Sequence, residues 1–248
     1  MTTSHSSDTP PLGQIPPELR RQLLSWLLAD PQQAARMTYD EFLEWADEDT
    51  LAEWVDGRVV MASPASARHH LLANFLVAVL HTFAQLYSLG VVLDGPFQMK
   101  LSSSGREPDV LFLAQDHLDR LKRTYLDGPA DLVVEIISPE SIGRDRGDKF
   151  YEYQRAGIPE YWLIDPDTER AEFYQLDARG AYQLMPLDAA GAYHAQVLPG
   201  FWINVEWLWR ANLPATEVVL LAVAGDAYER YLRQLMDQRG QPIEPPQP

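Results

Sequence analysis

Leu132-Val133-Val134-Glu135-Ile136-Ile137 is apolar at every position but one. A short run of this kind predicts a central strand covered on both faces, because a strand with one wet face would alternate polar and apolar residues. Glu135 stands in its middle, and a carboxylate there costs several kcal/mol unless something compensates it. Two resolutions stand side by side: an ion pair with an Arg or Lys from a neighbouring element, or a metal ion.

Working outward, Asp145 to Ala156 reads as a helix ended by Gly157 and Pro159, and Glu160 to Asp165 as the next strand. Pro166-Asp167 then turns the chain into another strand, Ala171 to Leu176. Upstream, Asp109 to Leu113 and Val91 to Leu101 are extended segments. Before them Leu71, Leu72, Phe75, Leu76, Val79, Leu80 and Phe83 recur three and four apart, predicting a long helix from Ser66 to about Tyr87 that packs on the sheet. Asp56-Gly57 between two extended segments predicts a hairpin, and Thr38 ahead of Tyr39-Asp40-Glu41 predicts a helix start. Residues 18–30 have helical apolar spacing and break at Pro31; residues 181–209 supply further short strands. A single C-terminal helix is expected over 215–237, followed by a proline-rich tail. Strands and helices in this order define an α/β (α+β) chain with a mixed central sheet flanked by helices. Three parts follow: a tail and short helix over 1–36, the main domain over 37–210, and a C-terminal helix and tail over 211–248.

With 248 residues the chain can bury a sizeable single core. It has no cysteine, which removes disulfides and thiolate metal sites and leaves oxygen ligands and acid/base chemistry. No apolar run reaches the roughly 20 residues needed to cross a bilayer, and the start of the chain lacks signal-peptide character, so a cytoplasmic protein without membrane association is expected. Twenty basic against 36 acidic residues give a net charge of −16, which disfavours loose attachment to nucleic acid. An enzyme that meets phosphates through a bound cation and a few local Arg and Lys escapes that argument.

Asp109 follows Pro108 at the start of an apolar strand. Its plainer reading is an aspartate held by local backbone N–H groups. Were its strand to pair with that of Glu135, two buried carboxylates would repel, and a divalent ion between them would resolve the repulsion. Lys149 lies on the helix after the Glu135 strand, and alone it reads as an exposed i, i+4 partner of Asp145. Tyr161-Trp162, Trp202, Trp207 and Trp209 read as alternating strand positions and hence as packing.

Taken together, the segments resemble the Uma-type restriction endonuclease family within the PD-(D/E)XK nuclease superfamily. The resemblance rests on Met37-Thr38-Tyr39-Asp40-Glu41-Phe42-Leu43, Glu53-Trp54-Val55-Asp56-Gly57, Ser63-Pro64 and Arg68-His69. It continues through Arg106-Glu107-Pro108-Asp109-Val110, Val134-Glu135-Ile136-Ile137-Ser138-Pro139, Asp145 to Lys149, and Ala156-Gly157-Ile158-Pro159-Glu160-Tyr161-Trp162-Leu163-Ile164-Asp165. It implies an αβββαβ core in which Asp109, Glu135 and the main-chain carbonyl of Ile136 hold Mg²⁺ or Mn²⁺, with Glu53 as a further ligand and His69 as an auxiliary group near the phosphate. The superfamily lysine usually stands two residues after the glutamate, where this chain has Ile137. The Uma-type pattern resembles this sequence in placing a lysine on the next helix, which makes Lys149 its counterpart. The implied activity is metal-dependent endonucleolytic hydrolysis of DNA phosphodiesters, with Asp109, Glu135 and Lys149 catalytic, and a homodimer is compatible with it. Two other readings stay open: a catalytically silent nuclease fold used for binding or regulation, and a hydrolase of small phosphodiesters.

Overall fold

A computed structural model describes residues 36–46, 50–61, 65–138 and 141–237. The expected helix over 18–30, the proline-rich tail, Ser63-Pro64 and Pro139 lie outside the described residues. Helix α1 (Tyr39–Trp45) begins where Thr38 predicts: its side chain accepts from Glu41 N while Glu41 reaches back to Thr38 N, a reciprocal capping box. Strands β1 (Ala52–Val55) and β2 (Arg58–Met61) form the hairpin, with Asp56 at φ 48° and Gly57 at φ 85°. That left-handed pair of turn residues is the one a two-residue hairpin needs.

Helix α2 (Ala67–Leu86) is capped by Ser66 and buries Leu72, Phe75, Leu76, Val79, Leu80 and Phe83. At about 1.5–3 kcal/mol for each large apolar side chain as an upper bound, this face anchors the helix many times over. It lies on a six-stranded mixed sheet formed by β3 (Gly90–Asp94), β6 (Val110–Ala114), β8 (Leu132–Ile136), β9 (Glu160–Asp165), β10 (Arg170–Leu176) and β11 (Tyr182–Leu184), in the order β11-β10-β9-β8-β6-β3. The β8–β9 pair is parallel and the others are antiparallel. The Glu135 strand is thus central, with all five residues buried. Leu132, Val134 and Ile136 face the core under α2, and Val133 and Ile137 face a second core on the other side.

The second sheet, β2-β1-β5-β4-β7, uses β4 (Gln98–Lys100), β5 (Ser104–Arg106) and β7 (Tyr125–Asp127). Here the structure departs from the expectation of one strand over Val91 to Leu101: β3 and β4 belong to different sheets, and Gly95-Pro96, joined by a cis peptide, lies between them. Helix α3 (Phe150–Ala156) follows β8 and ends at Gly157 in the left-handed region. A ribbon of β12 (Ala192–His194) and β13 (Trp202–Asn204) and the short helix α4 (Glu206–Trp209) complete the 181–209 region. The expected single C-terminal helix is two, α5 (Thr216–Ala224) and α6 (Asp226–Asp237), because Gly225 at φ 49° breaks the helical path. Val219, Leu220, Ala224 and Tyr228 from this pair join the core under α2. No described helix is long and apolar enough to cross a membrane.

Candidate active site

The two sheets and α2 meet at a cleft of about 490 Å³. Its wall includes Glu53, His69, Glu107, Asp109, Glu135, Ile136, Asp145 and Lys149. Each arrives from a different element for a local reason. Asp109 immediately precedes β6, and since Val110 pairs with Val134 in antiparallel register, the next step along the ladder sets Asp109 opposite Glu135. Its Oδ2 accepts the main-chain N–H of Ile136 at 2.6 Å, and its Oδ1 lies 2.9 Å from His69 Nε2 at the start of α2. The backbone-held aspartate and the candidate site aspartate are therefore one residue.

Glu135 is 3 % exposed. Oε2 accepts from Lys149 Nζ at 2.9 Å and Oε1 from the buried Tyr153 hydroxyl at 2.7 Å. Lys149 reaches this position although it stands 14 residues further along the chain. The helical path explains how: residues Arg144–Lys149 form a π-helical stretch ahead of α3, which brings both Asp145 and Lys149 inward. The Asp145–Lys149 pair at 3.4 Å exists, but as a buried contact at 2 % and 6 % exposure, not on the surface. Glu53, on β1 of the second sheet, lies 3.1 Å from Lys149 and 3.0 Å from Arg106. Arg106 is buried too and reaches on to Glu152 of α3 at 2.6 Å, so a continuous chain of alternating charges runs from α3 through both sheets.

The electrostatics follow from this crowding. Burial, aided by Asp145, Asp109 and Glu53, outweighs Lys149 and pushes the Glu135 carboxyl up to about 8. Burial pushes Glu107 up to about 7 against the hydrogen bond from Gln98. Burial would also raise Glu53, yet Lys149 and Arg106 together hold it below its ordinary value. The reverse holds for Lys149, where burial works against the charge and Glu135, Glu53 and Asp145 overcome it, keeping the amine protonated. His69 is likewise raised, Asp109 outweighing burial. The cluster holds more acids than cations, and burial raises two of the acids, Glu135 and Glu107. Its oxygens are the hard donors that divalent ions of the Mg²⁺ kind accept. Among the described residues no three carboxylate or imidazole side chains converge as a ready ligand group.

All six residues singled out from the sequence, Glu53, His69, Asp109, Glu135, Ile136 and Lys149, line this one cleft. Arg106, Asp145 and Tyr153 were given no role there. A signal for Arg106 existed: three acids set against a single lysine call for a second buried cation, and Arg106 opens the segment that contains Asp109.

The mixed sheet flanked by helices, with this cleft at the end of its central strands, defines a restriction-endonuclease-like α/β protein. A solved structure described as "a putative nuclease belonging to DUF820 from Anabaena variabilis ATCC 29413" shares the fold with a TM-score of 0.60 at 16% identity, covering 70% of this chain and 97% of that one. The family described as "Putative restriction endonuclease", Uma2, matches residues 39–206, and the chain belongs to it. No curated protein matches the chain significantly.

Proposed function

We propose that the protein is a divalent-metal-dependent endonuclease that hydrolyses DNA phosphodiester bonds at this cleft. The observation that carries the reading is the convergence of Asp109, Glu135 and Lys149, from two strands and a π-helical stretch, on one buried, acid-rich pocket. The residues fit Mg²⁺ or Mn²⁺ on the chemistry of the donor set: Asp109, Glu135 and the Ile136 carbonyl would be oxygen ligands and Glu53 a further one. Mg²⁺ commonly takes one or two carboxylates and completes its shell with water, so a pair of acids suffices. When bound, the ion supplies Lewis-acid polarisation of the phosphate and an acidified water. Lys149 then offers its N–H donors to charge developing on the phosphoryl oxygens, a term that counts only in the transition state. His69 holds Asp109 in place through the 2.9 Å contact and stands near the phosphate path.

The metal-free Lys149, engaged by three carboxylates, together with the net charge of −16, favours a second reading, a silent nuclease fold used for binding. Purified protein with Mg²⁺ or Mn²⁺ on supercoiled plasmid and on a chromogenic phosphodiester separates them. The nuclease reading expects nicking that Asp109→Asn, Glu135→Gln and Lys149→Met each abolish, and a thermal gain from metal that Asp109→Asn loses. Cleavage of the chromogenic ester alone indicates a small-molecule hydrolase. Metal-independent inertness toward both substrates refutes the enzyme.

A further inference from the structure

An ammonium group has three N–H donors. Lys149 Nζ donates to Glu135 Oε2 at 2.9 Å and lies at ion-pair distance from Glu53 Oε1 at 3.1 Å and Asp145 Oδ1 at 3.4 Å. All four side chains are buried. The amine therefore sits where the negative charge of the cleft is densest, which is where an entering cation would also be drawn. Like charges repel strongly at such separations in a poorly solvated pocket, so the two cations cannot both rest on the same acids.

Asp145 is the odd member of the group. Its Oδ1 is buried and has no hydrogen-bond partner among the described residues, and it meets Lys149 at ion-pair distance only. A buried acceptor without a hydrogen bond beside an amine is a second seat for it. A shift of about half an ångström would turn the 3.4 Å contact into a hydrogen bond.

We propose that Lys149 is the internal stand-in for the cation in the metal-free site, and that it yields Glu135 and Glu53 to a divalent ion by moving onto Asp145. This rests on the divalent-ion reading of Asp109 and Glu135 given above. Asp145 is then a positioning residue that acts through Lys149. Two consequences follow. Metal affinity is held down by the need to displace a resident charge. The amine becomes free to face a phosphate only after the ion has arrived, so loading and arming of the site are one event.

The test is calorimetric titration of the full-length, EDTA-stripped protein with Mn²⁺, for the parent, Lys149→Met, Asp145→Asn and the double variant. Exchange predicts that Lys149→Met binds Mn²⁺ at least tenfold more tightly than the parent, and melts lower in EDTA with a larger thermal gain from metal. It also predicts that Asp145→Asn weakens Mn²⁺ binding in the parent and has little effect once Lys149 is gone. Equal affinity of Lys149→Met and parent, or an Asp145→Asn effect that persists in the double variant, overturns the exchange and leaves the metal reading intact. Absence of Mn²⁺ binding in both parent and Lys149→Met removes the metal reading, and the exchange with it. Should Lys149→Met fail to fold, the parent still answers. Lysine occurs at only three positions, 100, 122 and 149, so ¹⁵N-lysine labelling gives a readable ammonium signal for Lys149. Its shift should follow Mg²⁺ saturation; a signal unmoved while Mg²⁺ binds refutes the exchange.

Discussion

Replacing Glu135 by Gln tests the electrostatics of the site through folding stability, with no activity assay needed. In the metal-free fold the Glu135 carboxyl is pushed up to about 8, from an ordinary value of 4.5. The folded state therefore keeps a proton that the unfolded chain has already released, and stability falls as pH rises from 4.5 to about 8. Above that window the loss is complete. At about 1.4 kcal/mol per pH unit the whole gap corresponds to about 5 kcal/mol, and water entering the cleft to solvate the ion reduces it to about 2–5 kcal/mol. That is a large share of the roughly 5–15 kcal/mol that holds a domain together. Gln keeps an amide oxygen to accept from Lys149 or Tyr153 but cannot titrate. Urea unfolding in EDTA, followed by tryptophan fluorescence from pH 5 to pH 9, should show the parent losing about 2–5 kcal/mol relative to the variant. Glu107, pushed up to about 7, titrates in both proteins and cancels in the comparison. Parallel stability curves over this range would refute the account. Saturating Mg²⁺ should flatten the parent's slope if the ion stabilises the ionised carboxylate.

Tyr153→Phe removes the hydroxyl that holds Glu135 Oε1 at 2.7 Å. Loss of such a supporting hydrogen bond should weaken Mn²⁺ binding by about 10- to 100-fold, measured by titration, with the native circular dichroism retained. At the far side of the sheet, the fully buried Glu160 accepts from Trp162 Nε1, Tyr193 Oη, Gln196 N and Val197 N at 2.6–3.0 Å. Glu160→Ala strands four donors, so chemical denaturation should show a loss of at least about 3 kcal/mol. The variant's activity at a temperature where it stays folded should match the parent's, and a selective loss of activity would assign Glu160 to the site instead. Gly90, at φ 149°, has no room for a side chain: a Cβ there runs into the Leu113 carbonyl and Ala114 backbone of β6. Gly90→Ala should lower soluble yield and melting temperature sharply, and an unchanged melting curve would contradict the close packing of β3 on β6.

Much of this molecule could be read from local chemistry. The capping box at Thr38, the Asp56-Gly57 turn and the apolar face of α2 are decided by residues within a few positions of one another, and all three stand where the sequence puts them. Glu135 was informative because a lone acid in an apolar strand contradicts its surroundings. Pairings between distant segments were less legible. The segment Val91 to Leu101 has strand character at both ends; Gly95-Pro96 is a local break between them, but it does not say which sheet each end joins. Ser104–Arg106 and Tyr125–Asp127 are three-residue strands, too short for a pattern, and owe their conformation to their neighbours. Asp145 and Lys149 matched an exposed i, i+4 pair, and only the fold around them makes that pair buried. Spacing alone merges the C-terminal helices because Gly225 inside an apolar-periodic run is tolerated in many helices, and its positive φ is not visible from spacing.

The π-helical stretch Arg144–Lys149 has a consequence for how this site is encoded. A π turn is an α-helix carrying one residue more than its hydrogen bonding needs, and each residue advances the helix by about 100°. Lys149 is thus aimed by the number of residues before it as well as by its own identity. Deleting Gly147, where an added Cβ would meet nothing within 4 Å, removes no charged residue of the cleft. Closing the stretch to an ordinary helix would nonetheless swing residues on one side of the deletion by about a quarter turn relative to the other. The lysine would be present in the gene product and missing from the pocket, a change that no residue-by-residue comparison of side chains would register.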